Sequence, residues 1–218
     1  MKKILAFSLV FILCFGMLCS CDKEETYGEP FTPNLTIDTT DHILHNIEIT
    51  VEDYGIITLT LDETLAPITV QNFLKLAKQG FYDGLTFHRI IDGFMIQGGD
   101  PHGDGSGGSS EKITGEFSAN GIENNLSHTR GIISMARLGN SYDSATSQFF
   151  IVHQDGYYYY SYYISNTQLD GDYAAFGWVT SGMEFIDAIC EDTQVEDSNG
   201  TVLAKNQPVI KSIRVIEE

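Results

Sequence analysis

Two apolar stretches of this chain each carry isolated polar side chains able to do chemistry. The first, Phe87 to Pro101, reads F-H-R-I-I-D-G-F-M-I-Q-G-G-D-P. It sets one guanidinium, Arg89, and one amide, Gln97, among Phe94, Met95 and Ile96. The second, Ile132 to Val152, places Gln148 next to Phe149, Phe150, Ile151 and Val152. A fixed cation and amides among large apolar side chains describe an apolar pocket with a few oriented polar groups. The competing reading is a hairpin whose Arg89 pairs with a surface carboxylate, the commoner fate of a charged side chain.

Other chemistries find no support. There is no C-x-x-C and no H-E-x-x-H, and the six histidines are scattered, so no metal site is expected. Gly103 to Gly108 matches G-x-G-x-x-G, but no helical pattern opens after it, so no nucleotide cofactor is expected. Asp100 and Asp104 fail the calcium-loop pattern, because His102 stands where an oxygen ligand is needed. With 12 basic and 30 acidic residues the net charge is −18, which repels nucleic acid and anionic lipid headgroups. Of the four cysteines, Cys14, Cys19 and Cys21 lie in or just after an apolar leader. Cys190 is left alone, so no internal disulfide is expected to hold the fold.

The elements that must position these groups can be read in order. Ile47, Ile49 and Val51, then Ile57, Leu59 and Leu61, alternate with polar residues around Asp53-Tyr54-Gly55, which predicts a hairpin. Pro67 in a first turn, an apolar face of Val70, Phe73, Leu74 and Ala77, and Gly80 as a cap predict a helix packed on a sheet. The segment around Arg89 and Gln97 is expected to form a hairpin turning at Asp92-Gly93 and broken by Gly98-Gly99. Met183, Phe185, Ile186, Ala188 and Ile189 predict a second, shorter helix, and Ile210, Ile213 and Val215 a closing strand. Many short strands with two separated helices suggest a single-domain barrel with helices over its open ends.

The flanks read differently. Lys2, Lys3 and the run Ile4 to Leu18 predict a signal peptide over residues 1–20, too short to span a membrane comfortably. Residues 21–45, with Gly28, Pro30 and Pro33, predict a flexible tether ahead of a domain over 46–218.

F-H-R-I-I-x-G-F-M-x-Q-G-G-D, followed by S-M-A and S-Q-F-F-I, resembles the signatures of the cyclophilin family of peptidyl-prolyl isomerases. Leu169-Asp170-Gly171 with Phe176-Gly177-Trp178-Val179 is similar to a further family segment, and the resemblance runs from about Asn46 to about Ile216. It implies a closed eight-stranded antiparallel β-barrel capped by two α-helices, mainly β, with no cofactor and an expected monomeric state. It implies isomerisation of X-Pro bonds in proline-containing polypeptides. Arg89, Gln97 and Phe94 are then the catalytic residues, and Met95, Ala136, Arg137, Gln148, Phe150, Leu169 and Tyr173 bind substrate. Gln168 and Tyr173 depart from the animal-type pattern, and Tyr157 to Tyr163 is an insertion with six tyrosines. A binding module that has lost catalysis, or an interaction surface built on the tyrosines, is the alternative. Leu18-Cys19-Ser20-Cys21 resembles the bacterial lipobox, which implies lipidation at Cys21 and a place in the cell envelope, on the periplasmic side or the cell surface. The acidic run Asp22 to Glu25 is similar to an export tag to that surface.

Overall fold

The computed structural model describes residues 25–35, 37–159 and 161–216. The expected signal peptide and Cys21 lie outside them. Eight antiparallel strands build one curled sheet: β1 (Leu44–Val51), β2 (Gly55–Asp62), β3 (Thr86–Ile91), β4 (Met95–Asp100), β5 (Ile132–Met135), β6 (Phe149–Val152), β9 (Ala175–Ser181) and β10 (Ile210–Ile216). Two further strands, β7 (Gly156–Tyr159) and β8 (Tyr162–Ser165), pair only with each other. The two helices are α1 (Pro67–Lys78) and α2 (Met183–Asp192). Among the described residues no helix is long and apolar enough to cross a membrane.

The sheet order is β10-β1-β2-β9-β5-β6-β4-β3, so the architecture is mainly β but the barrel is a half-barrel, not closed. β3 and β10 share no ladder because the outer edge of β3 is taken by the connection into β10. Phe87 N–H donates to Pro208 O at 3.0 Å, Val202 N–H to His88 O at 3.1 Å and Ile90 N–H to Gly200 O at 2.8 Å. Pro208 itself offers no N–H for a reciprocal bond.

Inside the curl, alternation does what the sequence pattern requires. Ile47, Ile49, Ile57, Leu59 and Leu61 have no exposed surface, and Val70, Phe73, Leu74 and Ala77 of α1 close over them. An aromatic cluster fills the centre, with the Phe149 ring 5.5 Å from Phe73, 5.7 Å from Tyr82 and 6.1 Å from Phe87. The start of α1 has no local side-chain cap. Glu116 supplies one from afar: its carboxylate accepts from Ile68 N–H at 3.0 Å and Thr69 N–H at 2.8 Å.

Two further expectations change. Gly98 and Gly99 do not end β4, which runs on to Asp100. A side chain at Gly98 would start 2.8 Å from Thr86 O, so glycine here allows close backbone approach within a continuing strand. Part of the segment read as a flexible tether also packs on the domain. Phe31 N–H donates to Thr180 O at 2.7 Å, and Leu35 and Ile37 pack on the smaller apolar cluster, so this strap is docked along the sheet. Prolines and threonines mask its apolar spacing in the sequence.

Candidate active site

Arg89 reaches its position through an irregularity. Phe87 pairs with Gly98 and Arg89 with Gln97, so His88 is an extra residue on β3 with no partner on β4. Residues two apart on a strand normally share a face; a bulge between them reverses that. Phe87 therefore enters the main core while Arg89 turns to the other face, beside Met95 and Gln97. On β6 plain alternation sends Phe149 into the core and Phe150 outward to the same face.

The two strands and their neighbours form a pocket of about 230 Å³ lined by Arg89, Phe94, Met95, Gln97, Ala136, Arg137, Phe150, Leu169 and Tyr173. Every one of these is a residue singled out from the sequence. Met95 and Phe150 make a buried floor, and Tyr173 stands edge-on to Phe150 at 5.9 Å. Gln148 lines instead an adjoining hollow of about 300 Å³, which shares Gln97, Ala136 and Arg137 with the pocket.

Among the described residues Arg89 is not paired with a carboxylate. Its Nε donates to Asn199 O at 2.8 Å and its Nη1 to Gln97 Oε1 at 3.2 Å, with Met95 Sδ at 3.9 Å. These acceptors are neutral, and Nη2 has no protein partner among the described residues. Burial lowers the Arg89 pKa from its ordinary value, yet a guanidinium stays charged at neutral pH. The pocket thus holds a full, incompletely satisfied positive charge at its rim.

A relay fixes the orientation of both amides. Gln148 Nε2 donates to Gly107 O at 2.7 Å and Gly105 O at 3.1 Å. Its oxygen must then face Gln97, whose Nε2 donates to it at 2.9 Å, and the Gln97 oxygen is left for Arg89. The glycine loop is shaped in turn by Asp100, whose carboxylate accepts from His102 N–H at 2.9 Å and Gly105 N–H at 2.6 Å. Hydrogen bonds from the loop amides outweigh burial and hold the Asp100 carboxyl below its usual range.

Sequence reasoning missed this loop, Asn199, the support from His128, and the packing of Arg137 on Tyr173, two residues it had named only as substrate-binding. The ring of His128 lies parallel to Phe150 at 6.0 Å, held by Asp170 Oδ1 at 2.7 Å and Ser134 Oγ at 3.0 Å. The Arg137 guanidinium sits 4.6 Å from the Tyr173 ring centre, anchored by Asp172 O at 2.8 Å. No local pattern marks a carbonyl as a partner, and His128 meets Asp170 only in the fold, 42 residues along the chain. Cys190 takes no part: burial, with Asp92 and Asp187 nearby, pushes its pKa up to about 12, so its thiol is unreactive.

His88, the bulged residue, is buried with neither ring nitrogen hydrogen-bonded among the described residues, and burial lowers its pKa; burial lowers the pKa of His153 as well. The unfolded chain takes up a proton near the ordinary histidine value of about 6.5, while the folded chain refuses it until lower pH. Stability is therefore complete above about pH 6.5 and falls below it, by at most about 1.4 kcal/mol per pH unit for each histidine. Chemical denaturation at pH 8 and pH 5.5 reads this, and His88→Phe is expected to reduce the slope by about half. A profile flat across that range contradicts the assignment.

A half-barrel with two helices, carrying an apolar pocket beside one oriented guanidinium, defines a cyclophilin-like protein. The family described as cyclophilin type peptidyl-prolyl cis-trans isomerase/CLD matches residues 46–215. Peptidyl-prolyl cis-trans isomerase A of Dickeya dadantii is 38% identical over 86% of this chain and 91% of its own. Peptidyl-prolyl cis-trans isomerase B of Bacillus subtilis is 46% identical over 62% of this chain and 83% of its own. A cyclophilin type isomerase of Cryptosporidium parvum, solved in the presence of the dipeptide Ala-Pro, superposes with a TM-score of 0.64. It is 31% identical, covering 79% of this chain and 99% of that one. The chain belongs to the cyclophilin family and is a peptidyl-prolyl cis-trans isomerase.

Proposed function

We propose that this isomerase acts on proline-containing polypeptides outside the cytoplasm and assists their folding, with Arg89 as its central catalytic group. The observation that carries the reading is a guanidinium held only by neutral acceptors at the rim of an apolar pocket the size of one side chain.

An X-Pro bond resists rotation by about 18–20 kcal/mol because the amide is conjugated. Rotating it needs no nucleophile, only a site that favours the twisted amide over both planar forms. In the twisted form the proline nitrogen regains a lone pair. Arg89 Nη2 donates to that lone pair, and its geometry is set in advance by Asn199 and Gln97. Met95, Phe150, Phe94 and Leu169 hold the pyrrolidine ring, while the second Gln97 N–H holds the preceding carbonyl. Ala136 N–H already donates to Gln148 O at 3.0 Å, so of the backbone groups of Ala136 the carbonyl is left to pair with an extended peptide. The protein acts as a monomer and needs no metal or cofactor.

A protease-coupled assay on a chromogenic Ala-Xaa-Pro-Phe peptide tests the activity: exchange accelerated well beyond the uncatalysed rate is expected, and the background rate alone overturns it. The place of action rests on Lys2, Lys3, the apolar leader and Leu18-Cys19-Ser20-Cys21. Palmitate labelling of the full chain in a bacterial host, lost in Cys21→Ala, is expected; label retained by that variant overturns the anchor.

A further inference from the structure

The β7–β8 ribbon belongs to no other sheet, yet its base is fastened to the pocket. Asn166 Nδ2 donates to Gln154 O at 2.6 Å and Gly93 O at 3.3 Å, and His153 N–H donates to Phe94 O at 2.9 Å. Gly93 has φ 77° and lies so close to the ribbon that a Cβ there would meet Tyr157 Cβ at 2.8 Å. The Tyr157 ring rests on the Phe94 ring at 5.5 Å. The ribbon is thus a fixed outgrowth of the pocket wall.

Its register assigns its faces. Tyr157 is opposite Ile164, Tyr158 opposite Tyr163, and Tyr159 opposite Tyr162. Directly paired residues share a face and neighbours along a strand do not. Tyr157, Ile164 and Tyr162 therefore share the face that begins on Phe94, while Tyr158 and Tyr163 pack together on the other at 5.3 Å. Tyr162 is 76% exposed although its neighbours on that face are apolar or aromatic. An exposed aromatic surface continuous with a binding pocket is an extension of that pocket.

We propose that the Tyr157–Ile164–Tyr162 face binds the part of the substrate polypeptide next to the isomerised proline, favouring aromatic or large apolar residues there. This rests on the isomerase reading of the pocket. From Tyr157 to the Tyr159–Tyr162 pair is two strand residues, about 7 Å, which spans about two residues of an extended peptide. The occupied side of the proline is the one directed away from the Gln148 hollow, since that hollow meets the pocket at Gln97 and Ala136 rather than at Phe94. Tyrosine suits this role because it offers a large apolar contact at little cost in rotamer freedom.

The test compares X-Pro peptides on the full chain: a short tetrapeptide, the same peptide extended by Phe-Phe on one side or on the other, and the same two extensions made with Ser-Ser. One Phe-Phe extension is expected to lower KM about tenfold with kcat unchanged, the Ser-Ser extension to do neither, and Tyr162→Ser to abolish the gain. No gain from either Phe-Phe extension in the wild type overturns the proposal and leaves the isomerase reading intact. Failure of the tetrapeptide to react at all overturns that reading instead. A Tyr162→Ser effect of equal size on the short and long peptides makes the residue structural and overturns the proposal. So does a wild-type dimer in sedimentation that the substitution dissolves, which would assign the face to a second copy.

Discussion

Arg89→Ala is expected to lower kcat/KM for X-Pro isomerisation by about 10²–10³-fold while leaving the fold intact. The side chain lies at the pocket, not in the core, and its removal opens no cavity among the packed aromatic rings. What is lost is a preorganised donor aimed at charge that develops only in the twisted amide. Because the planar substrate makes little use of it, the loss falls on kcat more than on KM. Arg89→Lys separates charge from geometry. An ammonium keeps the charge but cannot hold Asn199 O, Gln97 Oε1 and the proline nitrogen from one planar fork. It is expected to recover about tenfold of the lost activity at most. An Arg89→Ala enzyme as fast as wild type in the protease-coupled assay refutes the mechanism.

Phe149→Ala is expected to destabilise the domain by about 3–5 kcal/mol, the cost of deleting a fully buried aromatic ring. For a domain of this size that lowers Tm by about 6–20 °C. The ring sits between Phe73, Tyr82 and Phe87, which come from α1, from the turn after it and from β3, so collapse around the cavity must move several elements at once. Its neighbour provides the control. Phe150 is equally aromatic but floors the pocket, so Phe150→Ala is expected to cost more activity and less stability. Thermal unfolding and the peptide assay, run on both variants, show the two losses in opposite order. Equal unfolding temperatures for both would mean that β6 does not divide core from site.

Most of the pocket was legible because Arg89, Gln97 and their apolar neighbours sit in two short runs, while Leu169 and Tyr173 were reached through the resemblance to the cyclophilin family. The first hairpin and the first helix were legible from period together with turn and cap residues, as with Ile47 to Leu61 around Asp53-Tyr54-Gly55 and Pro67 to Gly80. Long-range closure was not. Nothing between residues 193 and 209 reads as an edge cover for β3, since its bonds to that strand are made by backbone groups of Gly200, Val202 and Pro208. The bulge was hidden for a related reason: His88 looks like an ordinary strand residue, and only the pairing partners Gly98 and Gln97 show that it is extra. The tyrosine run concealed a ribbon, because a stretch of one residue type has no alternation to read.

The edge cover has a consequence for when the enzyme becomes competent. The carbonyl that steadies Arg89 belongs to Asn199, which follows it by 110 residues. A growing polypeptide can lay down the pocket floor from residues 94 to 173 and still leave the guanidinium with Gln97 as its one oxygen acceptor. The fully preorganised guanidinium accordingly awaits the synthesis and docking of Asn199, and a chain that has not grown that far is expected to turn over X-Pro bonds more slowly.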